Sequence, residues 1–178
     1  GILYIFGGCW LLPEHRGLHN KTKNISIIAS KKTDTDGHKM RHEVIANFRD
    51  KIDGVFGNGY QFIENKINAL KEYRYTIVIE NSFHNSWFSE KILEPMLCGN
   101  LILYAGAPDI GEYFNTDGIL QFSTIEELRN ILPLCTEDYY ERKLFALAEN
   151  FELAKKYLIP EDLMWETFFK PKFFSDGR

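Results

Sequence analysis

A Rossmann-like α/β fold, a parallel sheet with helices on both faces, is predicted by three features of this 178-residue chain. Short β-branched and aromatic runs alternate with segments of helical periodicity along most of its length, the pattern of a doubly wound parallel sheet. Residues 73–114 join a strand, a polar elbow, a helix start and a second strand into one unit. The polar residues gather at the elbow, outside a strand's carboxyl end, where open α/β sheets bind ligands. With 44% hydrophobic residues, the chain is large enough to bury one good core.

Taken in order, a strand over 24–30 is followed by a helix over 38–50, a short strand over 53–57 and a second helix over 62–73. Tyr75 to Ile79 is a buried strand by its β-branched and aromatic content, extended to residue 80. Glu80, Asn81 and Ser82 have no place in an apolar core without partners, so they belong at its carboxyl end. Ser89, Glu90 and Lys91 open a helix over 89–98 with Ile92, Leu93, Met96 and Leu97 at helical spacing, and Gly99 ends it. Pro95 costs about 3 kcal/mol inside a helix, which predicts a kink or an earlier end. A strand over 101–105, a short helix over 108–114 and a strand over 118–122 follow. Thr124 and Glu127 have capping-box spacing and open another helix. Tyr140, Leu144, Leu147, Phe151, Ala154 and Leu158 repeat as one further helix that Pro160 ends. The aromatic tail beyond it, Trp165, Phe168, Phe169, Phe173 and Phe174, reads as core or domain contact.

This organisation divides the chain into a remnant or linker over 1–20, a Rossmann-like domain over 21–135 and C-terminal helices over 136–178. Gly1 begins inside an apolar run without a methionine, which predicts a longer polypeptide upstream. Gly1 to Leu12 lacks a basic leader and a clear cleavage site, and no apolar run approaches the ~20 residues of a membrane span. With 21 basic and 25 acidic side chains the net charge is −4, which argues against wide contact with nucleic acid or an anionic membrane. Any anion site is therefore local. Cys9, Cys98 and Cys135 are odd in number and far apart, which predicts buried free thiols in reducing surroundings.

The stretch from Tyr75 to Lys91 resembles the donor-binding motif of the family 10 fucosyltransferases, which reads roughly aromatic-x-x-x-x-F-E-N-S, a loop, then Y-(V/I/F)-T-E-K. The matching positions are Tyr75, then Ile79, Glu80, Asn81 and Ser82, then Trp87, Phe88, Ser89, Glu90 and Lys91. Ile79 stands for Phe, Ser89 keeps the hydroxyl of Thr, and Trp87 keeps a flat ring but loses the phenol of Tyr. The likeness extends upstream through Ile25 to Ser30 and Arg41, and downstream through Gly106 to Pro108, Tyr113 and Phe114. It implies the C-terminal half of a glycosyltransferase built from two Rossmann-like domains (GT-B), using GDP-fucose as donor and an oligosaccharide as acceptor in an inverting displacement.

Departure of GDP places extra negative charge on the β-phosphate, so fixed cations there stabilise the transition state more than the ground state. Arg41 and Lys91 are the candidates, both read as lying in the first turn of a helix, where N–H groups and the dipole favour an anion. A carboxylate at the position of Glu90 serves ribose hydroxyls in many transferases of this architecture, and it is also an ordinary first-turn acid. Asn81 and Ser82 bind sugar or phosphate oxygens or cap the loop. Glu80 is a structural acceptor or a ligand of the donor sugar, and Trp87 stacks on guanine or packs beneath its loop. Gly57, Asn58 and Gly59 allow backbone close to a ligand but lack the spacing of a dinucleotide fingerprint.

No metal and no further cofactor are expected. Asp34 and Asp36 form a DxD pattern, but Thr33 to Gly37 reads as a turn and helix cap. His38 and His42 lie four apart, as do His15 and His19, without the companions of a metal motif; His38 or His42 near the phosphates is a minor option. No residue of this chain presents itself as a catalytic base, which the resemblance places in the other half. The alternatives are a GT-B transferase of another nucleotide sugar and a nucleotide-binding module without catalysis. A cytoplasmic location is expected, or the Golgi lumen if a eukaryotic anchor lies upstream.

Overall fold

The structure is a computed structural model that describes residues 8–170, apart from the side chain of Phe168. Phe173, Phe174 and most of the stretch from Gly1 to Leu12 lie outside the described residues. Five strands, β1 (Lys23–Ile28), β2 (Gly54–Phe56), β3 (Tyr73–Ile79), β4 (Leu101–Ala105) and β5 (Ile119–Gln121), form one sheet among the described residues. The order is β2-β1-β3-β4-β5 and every pairing is parallel, with Ile25 beside Tyr75 and Tyr75 beside Leu101. Helix α1 (Asp36–Phe48) carries β1 to β2, and helix α2 (Glu90–Met96) carries β3 to β4. The chain thus turns to opposite sides after β1 and β3, and these neighbouring strands flank the switch point of the sheet.

Strand alternation sends side chains to two separate cores. Ile25, Ile27, Tyr75, Ile77, Leu101 and Leu103 meet Val44, Ile45 and Phe48 of α1, while Val78, Ile102 and Tyr104 meet Ile92, Leu93 and Met96 of α2. Most of these are under 4% exposed, and each fully buried aliphatic or aromatic side chain contributes about 1.5–3 kcal/mol. Ser26 and Thr76 are buried on adjacent strands and satisfy each other, Oγ to Oγ1 at 3.2 Å. No helix among the described residues is long and apolar enough to cross a membrane. The three thiols are free, with Cys98 and Cys135 buried.

Several expected elements differ, and the short helix expected over 108–114 is a 3₁₀ turn at Ile110–Glu112. The helix over 62–73 is only a 3₁₀ turn, Lys66–Ala69, because β3 begins at Tyr73 opposite Lys23 and Asn65 makes no side-chain cap. Ile67 and Leu70 are buried as that pattern requires, but the turn alone seats them. The long C-terminal helix is divided into α4 (Glu137–Glu141) and α5 (Leu144–Ala154), following α3 (Ile125–Ile131). Tyr140 and Leu147 enter the α1-side core and Ala154 the α2-side core, whereas Leu144 is 45% exposed. Instead of ending a helix, Pro160 starts α6 (Pro160–Met164) at the first position, where its missing N–H costs nothing. Pro95 lies near the end of α2, which stops at Met96, and Gly99 follows at φ +73°.

Candidate functional site

A cleft of about 380 Å³ opens at the carboxyl ends of β1 and β3. Ser30 and Lys32 line it from the loop after β1, His38 and Arg41 from α1, Gly57 and Asn58 from the loop after β2, Asn81 from the end of β3, and Glu90, Lys91, Glu94 and Pro95 from α2. Thr76 and Ile79 form part of its floor. Gly57 is needed here: its φ is +110°, and a Cβ would stand 2.1 Å from the Ala29 carbonyl oxygen. A larger open groove of about 970 Å³ lies at the amino ends of the strands, but its cations Lys23 and Arg74 are paired with Glu72 and Glu137. The smaller cleft is where charged and polar groups from several elements, Arg41, Asn81, Glu90 and Lys91 among them, converge.

Arg41 is not in the first turn of its helix, because α1 starts at Asp36 behind the Thr35 cap; it lies in the second turn. Its guanidinium is buried and reaches across to β3, where Nε donates to the Ile79 carbonyl at 3.0 Å and Nη2 donates to the same oxygen and to Asn81 Oδ1 at 2.9 Å. Nη1 takes no partner among the described residues. One edge of the fork therefore fastens α1 to the end of β3, and the other is available at the cleft.

Lys91 does sit in the first turn of α2, behind the Ser89 cap. Its Nζ donates to Ser89 Oγ and Glu90 Oε1, both at 3.1 Å, and lies 3.7 Å from Glu80 Oε2. Burial pushes the Glu90 carboxyl up, but the charge and hydrogen bond of Lys91 outweigh it and hold the group below its ordinary value. Glu90 is therefore an ionised acceptor at the cleft wall.

Glu80, Ser82 and Trp87 are not among the cleft-lining residues. The Glu80 carboxylate is buried and accepts from the Ser89 N–H at 3.0 Å and the Ser89 hydroxyl at 2.7 Å, fixing the start of α2. Ser82 is half-buried at the start of the loop, and Trp87 is 42% exposed near its end. That loop is pinned at Ser86, whose φ of 57° is left-handed and whose N–H and hydroxyl bond Asp109 at 2.7 and 2.9 Å.

Burial pushes the Glu80 carboxyl above its ordinary 4.5, against the pull of Lys91 and Ser89. A carboxyl raised in the fold contributes stability that is fully present below its unfolded value and is lost as pH rises through the folded one. Glu80→Gln should accordingly flatten the fall in melting temperature above pH 4.5, leaving the part carried by Glu94, which burial also raises. An unchanged slope would count against this assignment.

Sequence reasoning missed Glu94 and Lys66. Glu94 is buried, with Oε2 on Lys66 Nζ at 2.7 Å and Oε1 accepting from the Trp10 N–H at 2.8 Å. Its spacing of four from Glu90 on one helix was a usable signal; Lys66, brought in from the preceding 3₁₀ turn, had none. Of the DxD pair, both members are exposed, and Asp36 lies 3.6 Å from Lys39. His42 is occupied by Tyr60 Oη and the Lys32 carbonyl, each at 2.9 Å, and His19 bonds the His15 carbonyl at 2.8 Å.

No family model matches the chain. A fucosyltransferase-like protein of Arabidopsis thaliana is 27% identical over 67 residues, which are 37% of this chain and 13% of that protein. Three crystal structures of α1,3-fucosyltransferase, one solved with GDP and one with GDP-fucose, superpose with TM-scores of 0.54, 0.56 and 0.54 at 17–18% identity. Each alignment covers 78% of this chain and 46–47% of the other, so the chain spans a little under half of those structures. The parallel five-stranded sheet with helices on both faces is thus the Rossmann-like fold found in α1,3-fucosyltransferase structures.

Proposed function

We propose that this chain is the GDP-fucose-binding, C-terminal half of a family 10 fucosyltransferase that transfers fucose, with inversion, to a hydroxyl of an oligosaccharide. The observation that carries the reading is the meeting of Arg41, Asn81, Glu90 and Lys91 around one cleft at the β1/β3 switch point. Its support is a fold shared with proteins solved with GDP and GDP-fucose.

In this reading the open edge of the Arg41 fork and the Lys91 ammonium bind the diphosphate, and Glu90 accepts from the ribose hydroxyls. Asn81, oriented by Arg41, faces the phosphate or sugar oxygens. As the bond from the anomeric carbon to the β-phosphate oxygen breaks, charge builds on a group already flanked by two fixed cations, which lowers the barrier without reorganisation at the moment of reaction. Glu80 and Ser89 act one step back by holding the first turn of α2. The base that takes the acceptor proton comes from the other half, as do the remaining acceptor contacts.

Lys91 already has two carboxylates around it, so a diphosphate must compete with them. A charge-assisted contact still contributes roughly 1.5–3 kcal/mol, and Lys91→Ala should weaken GDP binding about tenfold or more. Thermal shifts with GDP, UDP and ADP test the donor class, since a ligand of the folded state raises the melting point. GDP alone should act strongly. A larger shift with UDP, or a Lys91→Ala protein that binds GDP as tightly as the parent, would overturn the reading.

A further inference from the structure

Three lysines line the cleft, and two of them are already engaged. Lys66 pairs with the buried Glu94 at 2.7 Å, and Lys91 lies between Glu80 and Glu90. Lys32, exposed in the loop from β1 to α1, makes no ion pair among the described residues. Its charge, with those of Arg41 and Lys91, acts on the His38 ring of the cleft wall, and Asp34 opposes them. Cations gathered this closely repel one another and gain from an anion placed between them.

An exposed lysine ordinarily contributes little, because holding a long mobile side chain offsets most of the attraction. Lys32 differs in how its backbone is held. The Lys31 N–H donates to the Asn58 carbonyl at 3.1 Å, which ties this loop to the one after β2. From the second turn of α1, His42 Nε2 bonds the Lys32 carbonyl at 2.9 Å. A carbonyl only accepts, so Nε2 carries the proton, and Nδ1 of the neutral ring accepts from the Tyr60 hydroxyl at 2.9 Å. Tyr60 leads back to the loop after β2, where its N–H donates to the Gly57 carbonyl at 3.0 Å. Gly57 and Asn58 themselves line the cleft. Three segments thus close a ring of hydrogen bonds beside the cleft and fix the point from which the Lys32 side chain starts.

We propose that Lys32 is a third cation of the diphosphate site and that His42, braced by Tyr60, is the residue that positions it. This rests on the diphosphate reading of the cleft. Arg41 and Lys91 each spend part of their donors on protein oxygens, whereas the Lys32 ammonium has no acceptor among the described residues and keeps all three N–H groups for phosphoryl oxygens. His42 does not touch the ligand. It takes from Lys32 the backbone freedom of a loop residue, so less entropy is lost when the ammonium closes on a phosphate.

The experiment is calorimetric titration of GDP into the whole chain and its variants, each first checked for folding by thermal melting. Lys32→Ala should weaken GDP binding about fivefold, the upper end for an exposed charge pair. Lys39→Ala, which removes an exposed lysine of α1 that lies 3.6 Å from Asp36, should leave binding unchanged. His42→Ala should weaken it about threefold, and His42→Gln, whose amide still donates to the Lys32 carbonyl, should recover most of that loss. In the Lys32→Ala background, His42→Ala should have no further effect, because its contribution passes through the lysine. A full His42 loss in that background makes the histidine merely structural and overturns its positioning role. Parent-like GDP binding by Lys32→Ala, or an equal loss for Lys39→Ala, overturns the inference while leaving the donor reading in place. Failure of every folded protein to bind GDP overturns the donor reading itself, and this one with it.

Discussion

Replacing Arg41 by alanine should damage stability and donor binding together. Its guanidinium is 6% exposed and anchors the Ile79 carbonyl and the Asn81 side chain at the end of β3. Truncation leaves that buried carbonyl without its donor, a penalty of about 1–3 kcal/mol, and frees Asn81 from the orientation it needs at the cleft. In the proposed reading the same change also removes the Nη1 edge that would meet the diphosphate. Urea denaturation should register the loss of stability, and GDP affinity should fall about tenfold or more, the equivalent of one charge-assisted contact. Arg41→Lys should recover part of the affinity but little of the anchoring, because an ammonium cannot reproduce a planar fork. A protein that melts and binds GDP like the parent after Arg41→Ala would remove this residue from the site.

Gly37→Ala should be as damaging, although alanine is the better helix former by about 1 kcal/mol. A Cβ at residue 37 would stand 1.7 Å from the Glu80 carbonyl oxygen and 2.9 Å from the Asn81 Cα. Neither backbone is free to yield, since the Gly37 N–H points to the Asn81 carbonyl at 3.4 Å and the Glu80 N–H is held by the Ala105 carbonyl at 2.8 Å. Helix α1 would have to move off the end of β3, carrying Arg41 and His38 with it. Overpacking of this kind costs about 3 kcal/mol, which exceeds the propensity gain. Gly17→Ala is the control: the nearest atom is on His19 at 3.8 Å, so its effect should stay within about 0.5 kcal/mol. Equal melting temperatures for the two variants would show that α1 does not pack on β3 as described.

Legibility followed the range of the interactions. The strand at Tyr75–Ile79, its polar end and the Ser89 cap were readable because a strand, a strand end and an N-cap are written in adjacent residues. The short α2 was readable from Pro95 and Gly99 for the same reason. By contrast, a helix was expected over 62–73, and the pairing of Tyr73 with Lys23 left room only for a turn. The break between α4 and α5 is similar. Periodicity across Tyr140–Leu158 picked out Tyr140, Leu147 and Ala154, which are buried, but also Leu144, which is exposed; Tyr140 reaches the Gly99 carbonyl at 2.8 Å and Leu147 enters the same core from a separate helix.

The amino-acid sequence by itself determined the α/β class, the alternation of strands and helices, and the group of residues from Glu80 to Lys91 at one strand end, because all of these follow from local periodicity and capping chemistry. Only the tertiary structure decided how that group divides. Glu80 was turned inward to hold Ser89, while Asn81, Glu90 and Lys91 face the cleft. It also decided that Arg41 spends one edge on β3, that Lys66 pairs with Glu94, and that Lys21 lies buried against the Cys98 and Leu70 carbonyls with its ammonium pushed down to about 7 by burial. The physical reason is common to all of them: burial and charge pairing depend on which distant segments the sheet order brings within a few ångströms, and no local pattern encodes that distance.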